Sequence, residues 1–248
     1  ISMANDTVIY FFLESMSTEL SEVVVTGVTR VTELKRNPIV VSIMDGSSFR
    51  QSSATNLIDA LKEIPGVSQI TSGPNISKPV IRGLGYNRII TLNNGIKQEG
   101  QQWGDEHGIE IDEYAITRAE IVKGPGSLLY GSDGIAGVLN FLPPKPPPIG
   151  IVKTQLLTNY QSNNNQIGYS FANAGNKNGL QWIVGFTNKF AANYKNIFDG
   201  RVYNSGFKEY DGNASLGVIK KWGHSQISFN SYNTNIGIID GERDSLGN

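Results

Sequence analysis

Cysteine is absent from the 248 residues, which excludes disulfides and thiolate metal sites. Histidine is scarce, present only as His107 and His224. An excess of one charge sign is missing as well. Lys and Arg number 21 against 22 Asp and Glu, for a net charge of -1, whereas nucleic-acid binding rewards a strongly basic surface. Long apolar runs are also lacking. The longest, Val8 to Leu13, is far short of the ~20 residues that a membrane-spanning helix needs. No basic-then-apolar leader opens the chain, which starts at Ile1, and the last residues, Asp240 to Asn248, read as a polar loop. Both ends are expected to be cuts within a longer protein.

Glycine is plentiful, with 28 residues, and five of them punctuate Arg118 to Phe141, RAEIVKGPGSLLYGSDGIAGVLNF. Two apolar strands, Ala119 to Val122 and Ala136 to Phe141, flank a turn carrying Gly124, Gly126, Gly131, Gly134 and Gly137. These glycines permit backbone angles that a Cβ forbids, and Pro125 fixes one angle. The run is not a phosphate loop. Such a loop needs Lys and then Ser or Thr after its last Gly, but Gly131 is followed by Ser132-Asp133, which would repel phosphate. Gly83-Leu84-Gly85 lacks the third Gly of a dinucleotide fingerprint.

The chain divides into two textures. Up to about residue 142, strands mix with one helix: Leu57, Ile58, Leu61 and Ile64 share a face. Ser53 or Thr55 is expected to cap it, and Pro65-Gly66 to end it. After Pro143-Pro144-Lys145-Pro146-Pro147-Pro148 the helical period disappears. Segments 151–160, 166–174, 180–192, 211–222 and 224–235 alternate around Asn- and Gly-rich turns. Trp182, Val184 and Phe186 lie opposite Gly185, Thr187 and Lys189. Tyr169 and Phe171 lie opposite Gly168 and Ser170, and Leu216 and Val218 opposite Gly217. Alternating segments of about ten residues mark a transmembrane β-barrel, although an extracellular β-sandwich alternates too. Connections at 176–179 and 223–224 are tight, while 193–210 and the tail from 236 are long. Outer-membrane barrels keep short periplasmic turns and longer external loops. The long stretch with Tyr194, Asp199, Arg201, Tyr203 and Tyr210 reads as external loop.

Three separated motifs resemble one family. Val80-Ile81-Arg82-Gly83, followed by Arg88 to Ile96 with its Asn94-Gly95 turn signal, is similar to an "IRG…ILLDG" hairpin. Ala119 to Pro125 with Leu129-Tyr130-Gly131 is similar to "EVLRGP…LYG", and Gly134 to Asn140 to "GGVIN". Together they identify the chain as resembling the TonB-dependent outer-membrane receptors, with a Bacteroidota-like cast and a likeness to the zinc-import group. The resemblance implies an α+β plug domain followed by antiparallel β-strands of an incomplete transmembrane β-barrel, of about 22 strands when whole. Residues 1–20 would be the tail of a preceding carboxypeptidase-regulatory-like module and 21–30 the TonB box region. Residues 31–148 would be the plug, and 149–248 the first five or so barrel strands.

The resemblance also implies roles. Glu22, Val23, Val24, Val25 and Thr26 would form the box, an extended peptide that adds a strand to a TonB-type energy-transducing partner. Arg82 and Lys123 would pair with glutamates on the barrel wall, Lys123 without the two-pronged fork of an arginine. The expected setting is the bacterial outer membrane, with lipid around the wall and a small-molecule or metal substrate at the plug apex.

Gln101 to Gly108 carries the sharpest local signal. Carboxylate and imidazole suit zinc and similar divalent ions. Glu106 or Asp105 with His107 is the plausible set, and Glu106-His107 matches an acidic-His pair in zinc-importing relatives. The alternative is a polar loop with Trp103 stacking on an organic ligand or on the barrel wall. No resident cofactor is expected, the metal being cargo such as zinc or an iron complex. Without a thiol or a nucleophile elbow, no enzyme is expected. The expected function is active import of a metal ion or metal complex. The alternatives are an organic nutrient such as a vitamin, siderophore or oligosaccharide, or a non-transporting signalling or adhesive role.

Overall fold

The computed structural model describes residues 23–24, 32–33, 39–52, 54–102, 104–198 and 200–239. The expected tail of a preceding module lies outside these residues, as do Trp103, Glu22, Val25 and Thr26.

The first half begins with two short strands, β1 (Val23–Val24) and β2 (Thr32–Glu33), paired antiparallel. Next come β3 (Val41–Asp45), helices α1 (Gly46–Gln51) and α2 (Leu57–Leu61), β4 (Val67–Gly73), β5 (Ile76–Ile81) and β6 (Leu84–Gly85). They are followed by β7 (Ile89–Asn93), β8 (Ile96–Gln98), β9 (Arg118–Lys123) and β10 (Gly137–Leu142). A mixed sheet runs in the order β3-β9-β10-β7-β8, with β10 parallel to β7 and antiparallel to β9. A second sheet holds β4, β5 and β6.

The central strands are apolar on successive residues because both of their faces are covered. Ile89, Ala119, Ile121, Leu139 and Phe141 pack on one side with α2, Ile64, Val67 and Ile81. Ile90, Leu92, Val122 and Val138 pack on the other with Val41 and Tyr130. Truncating a leucine in such a core costs about 2–5 kcal/mol. Helix α2 buries Leu57, Ile58, Ala60 and Leu61. Its cap differs from the expectation of Ser53 or Thr55: Asn56 Oδ1 accepts from Asp59 N at 3.0 Å. Thr55 sits one residue too early, and its N–H donates back to Asp59 Oδ2 at 3.3 Å.

Between β9 and β10 the chain folds as a 3₁₀ turn over Pro125–Tyr130. Ser127 is buried there, and its hydroxyl donates to the carbonyls of Gly124 and Gly134. Gly137 must be glycine, since a Cβ would lie 2.5 Å from Val122 O. The loop therefore serves strand pairing. The Asn94-Gly95 signal is realised between β7 and β8, with φ of +51° and +82°, the two positive angles of a type I′ turn.

The second half is a five-stranded antiparallel wall, β11 (Val152–Gln161), β12 (Gln166–Lys177), β13 (Leu180–Ala191), β16 (Phe207–Lys220) and β17 (Gly223–Ile236). Strands β14 (Lys195–Asn196) and β15 (Gly200–Arg201) form a small hairpin in the long connection. Ile167, Tyr169, Phe171, Val184, Phe186, Phe190 and Leu216 point outward and stay 45–54% exposed. Gly168, Ser170, Gly185, Thr187, Lys189, Glu209 and Asp211 point inward and are buried. Apolar outward and polar inward is the arrangement of a membrane barrel wall. β11 and β17 end the sheet, so the wall is partial and unclosed. No helix among the described residues is long and apolar enough to cross a membrane.

One boundary differs from the sequence reading. Strand β16 starts at Phe207, four residues before the expected 211, and takes Glu209 and Tyr210 out of the loop. Its first turns alternate outward Lys208 and Tyr210 with inward Glu209 and Asp211. A charged inward face resembles loop sequence until the plug that it meets is known.

Candidate functional site

The plug apex follows β8. Gln101 is buried, and its Nε2 donates to Ile89 O at 3.3 Å, which fixes the start of the loop. Lys78 Nζ, reaching up from β5, donates to Gly104 O at 2.5 Å and lies 4.9 Å from the Tyr86 ring centre. His107 N donates to Gly104 O, and Ile109 N to Ser77 O. Held at both ends, the loop presents Asp105, Glu106 and His107 to solvent.

His107 lies between two carboxylates. Its Nε2 is 3.8 Å from Glu106 Oε1 and its Nδ1 3.8 Å from Glu110 Oε1, all three side chains being about half exposed. Asp105 leans the other way, with Oδ1 3.9 Å from Lys78 Nζ. Sequence reasoning named Glu106 and His107 but not Glu110. The i,i+3 spacing of His107 and Glu110 was the available signal. A cavity of about 260 Å³ opens here, lined by Asn75, Glu106, His107 and Glu110 from the plug and by Tyr232, Thr234 and Ile236 from β17. The same end of the wall holds the long connection, where Asn204 Nδ2 donates to Ile238 O at 2.6 Å.

Below the apex, plug and wall are joined by a buried polar network that sequence reasoning missed. Lys189 Nζ lies 2.5 Å from both Glu113 Oε2 of the plug and Glu209 Oε1 of the wall. Glu209 Oε2 accepts from Asn75 Nδ2 at 2.7 Å and from the Tyr232 hydroxyl at 2.9 Å. The Thr187 hydroxyl donates to Asp112 Oδ2 at 2.7 Å, and Tyr114 N donates to Asp112 Oδ1 at 2.9 Å. Burial pushes the Asp112 and Glu113 carboxyls up, Glu113 to about 7, while Lys189 pulls both back down. Burial likewise pushes the Tyr114 hydroxyl up to about 12. The signal in the sequence was Lys189 itself, an ionisable residue on the glycine-bearing face of a spanning strand.

Arg82 and Lys123 come close to each other on the plug. Arg82 is exposed in the turn after β5, with φ +51°. Lys123 Nζ donates to Pro65 O at 2.6 Å, and burial together with Arg82 lowers its pKa. Among the described residues neither meets a carboxylate, and the expected wall glutamates are not supplied by β11–β17. Of the expected box, Val23 and Val24 form β1, paired with Thr32–Glu33.

Residues 33–138 match the family model described as TonB-dependent Receptor Plug Domain. The chain is 33% identical over 147 residues to the iron-regulated outer membrane virulence protein of Vibrio cholerae, covering 56% of this chain and 22% of that protein. It is 33% identical over 105 residues to the hemin receptor of Yersinia pestis, covering 42% and 15%. Among solved structures, the copper transporter OprC superposes with a TM-score of 0.69 at 19% identity, covering 80% of this chain and 32% of that one. The chain thus spans about a fifth of the curated relatives it matches.

Proposed function

Because the chain belongs to the TonB-dependent outer-membrane receptors, we propose that it is the plug and first wall strands of an importer for a metal ion or metal complex. The observation that carries this reading is His107, held half-exposed between Glu106 and Glu110 where plug, wall and outer cavity meet. Nitrogen and oxygen ligands about 2.0–2.1 Å from a tetrahedral zinc lie roughly 3.4 Å apart. The 3.8 Å between His107 Nε2 and Glu106 Oε1 closes to that value with a small side-chain rotation. Glu110 faces the other ring nitrogen, so it orients the imidazole and does not share the ion. Ligands carried by the cargo, or by wall loops, complete the coordination. The name of the Yersinia relative, a hemin receptor, supports a metal-bearing cargo.

Transport needs an energy source, and the box supplies the link. Glu22 to Thr26 would be handed to the sheet edge of a TonB-type partner, with Val23–Val24 leaving Thr32–Glu33. Pulling there would act on a plug tied to the wall through Asp112, Glu113 and Asn75. Arg82 and Lys123 would find their glutamates on later wall strands. The outward apolar face meets outer-membrane lipid.

The test is metal content and uptake by the full-length receptor, comparing wild type with His107→Ala and Glu106→Gln. A loss of tenfold or more in both variants is expected. Equal zinc content and uptake would remove the metal reading. Deleting 21–27 should abolish uptake, and unchanged uptake would make the protein a signalling or adhesive one. An organic nutrient is the second reading. It is favoured by a cavity of about 420 Å³ between plug and wall, which Asn93, Asn94, Gln98, Asn213, Gln226 and Asn230 line with amides. Uptake that survives both chelation and His107→Ala would select it.

A further inference from the structure

We infer that Asp112 of the plug and Glu209 and Asp211 of the wall form a site for a hard divalent cation of the calcium type, which ties the two parts together. The site is separate from the apex and does not depend on the cargo assigned there.

Asp211 is the starting observation. It is 3% exposed, and among the described residues no N–H or hydroxyl reaches either of its carboxylate oxygens, its near neighbour being the Glu209 carboxylate. A buried carboxylate without a partner is costly. Lys189 acts on it only through space, because its ammonium is hydrogen-bonded to Glu113 and Glu209. One oxygen from each of Asp112, Glu209 and Asp211 lies within 4.8 Å of the others. Calcium binds oxygens at about 2.3–2.6 Å, so two ligands of one ion stand at most about 5 Å apart. The three oxygens therefore meet the pairwise spacing that one ion requires.

The occupied carboxylates keep capacity. Asp112 accepts one hydrogen bond on each oxygen, and Glu209 accepts from Lys189 on one oxygen and from Asn75 and Tyr232 on the other. A carboxylate offers about four lone-pair sites, so each can still give one to a metal. Asp211 can offer both of its oxygens. The donor set is oxygen alone, with neither imidazole nor thiolate, and that selects hard cations over zinc or copper. An entry path exists as well, since Asp112 and Asp211 line the cavity of about 420 Å³ along the seam. With ligands drawn from both parts, a bound ion holds the plug more firmly than the Lys189 bridge alone.

The experiment uses the full-length receptor in detergent, stripped with a chelator and titrated calorimetrically with CaCl₂. One equivalent should bind, and the midpoint of heat unfolding should rise on loading. Asp211→Asn and Asp112→Asn should each weaken binding at least tenfold and abolish that rise. Asp133→Asn, which removes an exposed plug acid, should do neither. Absence of binding at millimolar calcium, or equal binding by wild type and Asp211→Asn, would overturn the proposal and leave a shared carboxyl proton as the neutralising group. Should the variants fail to assemble, anomalous scattering from wild-type crystals soaked in Mn²⁺ decides. A peak among the three carboxylates supports the site, and no peak there overturns it.

Discussion

Glu110 and Asp112 are two residues apart and carry the same chemistry, yet their surroundings are opposite. Glu110 is 50% exposed beside His107. Asp112 is 7% exposed between plug and wall. Water solvates the first and screens its neighbours, so it contributes little to folding. The second is stripped of water and must be answered by donors, a counter-charge or a cation. Apex and seam thus differ in kind: one end stays open to solvent, and the other ties plug to wall.

The contrast breaks first at Lys189. Lys189→Met leaves Glu113 and Glu209 facing each other without their ammonium, and should cost about 3–5 kcal/mol in heat unfolding of the full-length receptor. Adding Glu113→Gln and Glu209→Gln should restore most of that loss, because neutral partners no longer demand compensation. A cost below about 1 kcal/mol for the single change would show that water reaches the seam. Next comes Thr187→Val, which keeps the side-chain shape and deletes the donor to Asp112 Oδ2. A buried acceptor left unmet costs about 1–3 kcal/mol, measurable as a lower midpoint in the same unfolding assay.

The smallest stability effect belongs to the apex. Glu110→Gln should change stability by less than about 0.5 kcal/mol. Its consequence should instead be functional, with zinc affinity at the apex falling about 10–100-fold as the imidazole loses its orienting carboxylate. Zinc titration of the purified receptor reads this directly. A variant that lost stability and kept its affinity would reverse the roles of the two clusters.

Much of the fold was legible. The apolar run through β9 and β10 announces strands covered on both faces, and Asn94-Gly95 announces the β7–β8 hairpin. Alternation along 180–192 separates Val184 and Phe186 from Thr187 and Lys189, as the wall does. Glu106 and His107 could be named because they are neighbours in the chain. Glu113 and Lys189 could not be paired in advance, since they are 76 positions apart, nor could Asn75 and Glu209, 134 apart. Glu209 was hidden further, because a charged inward face made the start of β16 look like loop.

The glycine-studded stretch from Arg118 to Phe141 determined the plug from sequence alone. Its requirements are local: Gly137 must clear Val122 O, and Ser127 must reach two nearby carbonyls. Tertiary structure alone decided what the acids do. Hydropathy gives Glu110 and Asp112 the same description, and only the approach of β13, β16 and β17 removes water from one and leaves it on the other. A carboxylate's role depends on its solvent and its partners, and in this protein both are brought by strands far along the chain.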